Sequence, residues 1–142
     1  MFKELTKYKN TNNFEFSLSD DLAIACNAPK EGSGVYLVYD VTAEEKELIF
    51  IGSTGTIQNN GEIKHREGGI YDRMVNGQQF GKLPRHKAWH FQMKIEKIEG
   101  LEIYWYETFN AKTKHIPTYV EGLILQKYLD EHGRLPRWNV AF

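Results

Sequence analysis

Two apolar runs rich in β-branched and aromatic residues dominate the first half of this chain. Val35-Tyr36-Leu37-Val38-Tyr39 and Glu47-Leu48-Ile49-Phe50-Ile51 predict two strands, and the segment Asp40 to Lys46 between them closes a hairpin. Gly34 opens the first run and Gly52 follows the second. Upstream, residues 1–18 are polar and weakly patterned, which suits an arm or an edge segment. Ser19-Asp20-Asp21 then supplies an N-cap serine and first-turn acids for a short helix that ends before Pro29.

Downstream of the hairpin, Ser53 to Gly68 follows neither a helical nor a strand period and predicts a glycine-bearing loop. Ile70 to Val75 begins a short helix carrying Arg73. Trp89, Phe91, Met93 and Ile95 alternate with His90, Gln92, Lys94 and Glu96, the pattern of a half-buried strand, and Leu101 to Tyr106 predicts another strand. From Pro117 the period changes, and Val120, Leu123, Ile124, Tyr128 and Leu129 describe a helix that stops at Gly133. The whole predicts an α/β domain with a small central sheet, mixed or antiparallel, flanked by helices. Residues 1–30 form an arm and short helix packed on a unit spanning 31–142.

Composition narrows the picture. At 142 residues and 41% hydrophobic content the chain can bury one real core and has no length for a second independent domain. The lone Cys26 excludes an internal disulfide and a cysteine-rich zinc site. Without a signal-like or membrane-spanning window, a reducing, cytoplasmic setting is expected. A net charge of −1 is unhelpful for a partner of nucleic acid, but the basic residues are unevenly placed. Between Gly61 and His90, the six residues Lys64, Arg66, Arg73, Lys82, Arg85 and Lys87 face only three acids, with His65, His86 and His90 interleaved. That segment is the candidate phosphate-facing surface, against the plainer reading of a solvated loop.

Glu121 stands on or beside the apolar face of its helix, with Ile124, Leu125 and Tyr128 at the neighbouring positions. A charge there requires compensation, and a divalent ion such as Mg²⁺, which takes few protein ligands, would provide it. The competing reading is a capping box from Thr118 to Glu121. Arg73 offers a fork of donors to a phosphate, competing with a surface pairing to Asp72 or Glu67, and Arg66 is its rival. Tyr36 is either packing or a general base. A phenol titrates near 10 and needs a cation beside it, with Lys64, Arg66, Lys82, Lys87 or a metal-bound water as the candidates. His86 and His90, four apart, would present two imidazoles to one metal on a helix, but the strand pattern separates them. Either is read instead as a phosphate contact or an aid to proton transfer, against the plainer and stronger reading of an ordinary polar residue.

The words Gly34-Val35-Tyr36 and Phe50-Ile51-Gly52, followed by Arg73, by Glu121 on a later helix and by Asn139, resemble the GIY-YIG nuclease family. The resemblance covers about Gly34 to Asn139. It implies a metal-dependent DNA endonuclease using Mg²⁺ or Mn²⁺. Tyr36, Arg73 and Glu121 would be catalytic, with Glu121 the metal ligand. Gly34, Gly52 and Asn139 would support the site, and Lys64, Arg66, Lys82, His86, Lys87 and His90 would meet the substrate. Two departures stand out: Phe50 occupies the place of a tyrosine, and the gap from Gly52 to Arg73 is long. A non-catalytic nucleic-acid-binding or interaction module is the alternative. With no separate reading domain, sequence preference would come from loops, a homodimer or a partner protein.

Overall fold

In the computed structural model, which describes residues 2–142, the chain forms β1 (Thr11–Ser17), α1 (Leu22–Ala25), β2 (Ser33–Asp40), β3 (Glu47–Thr54), β4 (Thr56–Ile57), β5 (Ile63–Lys64), α2 (Gly69–Asn76), α3 (Arg85–Glu96), β6 (Gly100–Phe109) and α4 (Pro117–His132). Four strands make an antiparallel sheet in the order β1-β6-β2-β3. The N-terminal stretch read as an arm or edge segment supplies β1, an edge strand that sends Phe14 and Phe16 into the core.

Strand β2 is buried along nearly its whole length, because helices cover both faces of the sheet. On one face Tyr36 and Val38 meet α2 through Ile70 and Met74, and α3 through Trp89 and Met93. On the other, Val35, Leu37 and Tyr39 pack with Val120, Ile124, Leu125 and Tyr128 of α4 and with Phe2, Leu5 and Tyr8. A register shift between Val38 and Tyr39 breaks the alternation of β3, so that Ile49 and Phe50 both join the first core.

Three expectations are corrected. Residues Trp89 to Glu96 are helical and lie within α3. Arg85, Ala88, Trp89 and Met93 are its buried residues, spaced at three and four, while Phe91 and Ile95 are exposed at 58% and 74%. Helix α1 is capped by Asp21, whose carboxylate accepts from the Ala23 amide, and Ser19 lies outside it. The loop from Ser53 to Gly68 contains the β4–β5 hairpin, paired at Thr56–Lys64 and Ile57–Ile63. Among the described residues, no helix is long and apolar enough to cross a membrane.

Candidate functional site

Strand β3 ends beside two cavities that share one wall. The first, about 480 Å³, is lined by Thr54, Lys64, His65, Arg66 and Thr118 among others. The second, about 290 Å³, is lined by Gly52, Gln79, Glu121 and Asn139 among others. Ser53 and Arg73 line both. Helix α2 carries Arg73 at a half-buried position. The carboxylate that competed for it is engaged elsewhere: Asp72 pairs with Arg66 at 2.8 Å and accepts from Asn76. Among the described residues no ion pair holds Arg73, so its fork of donors is left for the cavities.

Glu121 sits in the first turns of α4, which begins at Pro117 with no side-chain cap. The capping box is therefore not formed. Instead the Ser53 hydroxyl donates to Glu121 Oε1 at 2.6 Å, tying helix to strand. Burial raises the carboxyl above its ordinary value, against the Ser53 hydrogen bond and the charge of Arg73, which pull it down.

Tyr36 is 0% exposed, and its ring lies against Gly52, where a side chain would collide with it. Gly34 serves a different approach, because a Cβ there would strike the Tyr106 carbonyl of β6. The cation that reaches Tyr36 is none of those expected. Arg85, fully buried at the start of α3, donates from Nη1 to Tyr36 Oη at 2.6 Å and to the Arg73 carbonyl at 2.9 Å. Its Nε donates to Gln79 Oε1, which also accepts from Trp89 Nε1. The guanidinium lies over the rings of Tyr36, Phe50 and Trp89, within 5.9 Å of each centroid. Among the described residues no carboxylate pairs with it, and burial lowers its pKa from the ordinary value. Two buried donors here, Arg85 Nη2 and Gln79 Nε2, have no hydrogen-bond partner among the described residues.

The basic segment divides. Lys64 and Arg66 line the first cavity with Arg73. Lys82, His86, Lys87 and His90 line neither cavity. His86 and His90 do lie on one helix, but His90 packs edge-on against Phe16 at 5.2 Å between centroids. No group of three or more His, Cys, Asp or Glu able to hold a metal occurs among the described residues.

Asn139 closes the second cavity. Its carboxamide accepts from the Ile51 amide and donates to the Ile51 carbonyl, both at 2.9 Å. Arg137 clamps the same segment to Asp40, Glu47 and Glu96. Trp138 Nε1 adds a bond to Glu96.

Sequence reasoning gave Ser53 and Gln79 no role, and counted Arg85 and His65 only within the basic segment without assigning either to the site. Arg85 stands four residues before Trp89, so a helical reading would have put it on the buried face. Ser53 directly follows the Phe50-Ile51-Gly52 word. Nothing in the sequence marks Gln79. In comparisons with known proteins, the chain matches no family model, no curated protein and no solved structure.

Proposed function

We propose that this protein is a metal-dependent endonuclease that hydrolyses DNA phosphodiester bonds. The observation that carries the reading is the shared wall: Arg73 and Glu121 face one cavity, and Arg73 joins Lys64 and Arg66 in the adjoining one. A phosphate seated at that wall meets the guanidinium fork of Arg73, and the basic pair holds the strand on either side.

Glu121 fits Mg²⁺ or Mn²⁺. It is a single half-buried carboxylate with a hydroxyl beside it and open space in front. Mg²⁺ takes one or two carboxylates and keeps several waters. When bound, the ion supplies Lewis-acid stabilisation of the leaving oxygen. Arg73 orients the phosphate and offsets the charge that develops on it. Ser53 holds Glu121 in place. Arg85 fixes Tyr36 and the last turn of α2 together, which sets the direction of Arg73. Tyr36 is fully buried against Gly52 and lines neither cavity, so as folded it does not reach a water there.

Burial of Tyr36 and the presence of Phe50 favour a second reading, a nucleic-acid-binding module that does not cut. Cleavage of supercoiled plasmid and branched oligonucleotides, with Mg²⁺ and with EDTA, separates the two. Nicking that needs Mg²⁺ and disappears in Glu121→Ala supports the nuclease. Binding without cutting, alike in both proteins, supports the module. Cys26 is a buried free thiol whose pKa burial pushes up to about 11, which keeps it protonated and unreactive.

A further inference from the structure

Hydrolysis needs a group that takes a proton from water, and the cavities offer few. Lysine and arginine side chains already carry their proton at neutral pH. Serine and threonine are poor bases, Glu121 is assigned to the ion, and Tyr36 is closed off by Gly52. Imidazole changes charge between about pH 5 and 8. The one imidazole on either cavity is His65.

His65 is held in a set orientation. Its Nδ1 shares a 2.7 Å hydrogen bond with Ser33 Oγ, and Ser33 is 0% exposed at the start of β2. Room for that hydroxyl comes from Gly55, which has φ +109° and no Cβ to collide with it. With Nδ1 bonded to a buried serine, Nε2 is the ring nitrogen left without a hydrogen-bond partner among the described residues. Arg73 and Ser53 stand at the wall common to both cavities, with His65 on the first, between it and a neighbouring cavity, and Glu121 on the second.

We propose that His65 is the general base of the reaction, an inference that rests on the nuclease reading. Nε2 takes a proton from a water in the first cavity as the water oxygen bonds to phosphorus. On the Glu121 side the bond from phosphorus to the leaving oxygen breaks, and that oxygen takes a proton from water. A diester and a water become a phosphate monoester and a hydroxyl, and the imidazolium returns its proton to solvent. The charged groups around the ring are Lys64 and Arg66 beside it, Arg73 from α2, and Glu62 and Lys114 across a neighbouring cavity.

Single-turnover cleavage of supercoiled plasmid with Mg²⁺ from pH 5 to 9 tests this, with wild type, with His65→Ala, and with the variant plus free imidazole. The wild-type rate should climb about tenfold per pH unit on the acid side and then level. His65→Ala should cut roughly 100-fold more slowly, lose the acid limb and recover rate with imidazole, while its DNA affinity in EDTA stays close to wild type. A variant that keeps the wild-type limb, or that loses binding as much as cutting, overturns the assignment. A wild type that does not cut overturns the nuclease reading and the base with it, whereas a cutting wild type with an unchanged variant removes only the base.

Discussion

Two ionisable side chains are withdrawn from bulk water, Glu121 in part and Arg85 wholly, and at different costs. Glu121 has its carboxyl raised by burial from the ordinary 4.5. The folded protein thus holds that proton more tightly than the unfolded chain, so stability is lost as pH rises through the window above 4.5. Glu121→Gln keeps an acceptor for Ser53 and removes the penalty. It should melt higher than wild type at pH 7, with the gap shrinking toward zero below about pH 4, while Mg²⁺-dependent cutting disappears. Equal melting at both pH values would mean that the burial cost is offset locally. Arg85 makes the second case. Arg85→Ala leaves a cavity and takes a donor from Tyr36 and Gln79, a loss of about 3–5 kcal/mol. Arg85→Met fills the space against the same rings and should cost roughly 1–2 kcal/mol. Urea unfolding of both variants checks this. If they fall together, the guanidinium's hydrogen bonds matter more than its volume.

Elements were legible where one periodicity had no rival. The strands β2, β3 and β6 announce themselves through β-branched and aromatic runs, and α4 through its spacing and its terminal glycine. Helix α3 was misread because apolar residues on two different sides of a helix happen to fall at every second position. Trp89 and Met93 belong to the buried side and Phe91 and Ile95 to the solvent side. Burial, which the one-dimensional pattern does not carry, separates them. Replacing Phe91 and Ile95 together by Lys and Glu should therefore change stability by no more than about 0.5 kcal/mol per site, whereas Met93→Ala should cost about 2–5 kcal/mol. Denaturation midpoints decide it, and a collapse of the double variant would return this segment to a sheet-like role. The β4–β5 hairpin escaped for a simpler reason, since strands of two residues are too short for alternation to register.

For the whole molecule, a formal net charge of −1 hides a local concentration of cations. The sequence located that concentration along the chain, and folding keeps only part of it together: Lys64, Arg66 and Arg73 meet at one cavity, while Lys82 and Lys87 line neither. Arg73 and Glu121 were readable as a pair through the ordered motif words. The links that position them were not, because Ser53, Gln79 and Arg85 act through tertiary contacts. DNA binding in EDTA should weaken with salt, and Arg66→Gln should lower the slope of log affinity against log salt by about one. Lys87→Gln should leave it unchanged. Equal effects of the two substitutions would mean that DNA follows the surface of α3 rather than the cavities.

The Asn139 carboxamide has a further consequence, because β3 is an edge of the sheet. By satisfying both main-chain groups of Ile51, the side chain imitates one rung of an absent neighbouring strand. It thereby denies another molecule a template for strand addition. Asn139→Leu should accordingly do more than loosen the last segment: it should uncover a sticky border and produce concentration-dependent assembly, visible as light scattering that grows with protein concentration. A variant whose scattering matches that of wild type at every concentration would assign the sealing of that border to the Trp138 amide, which bonds the Ile49 carbonyl at 2.8 Å.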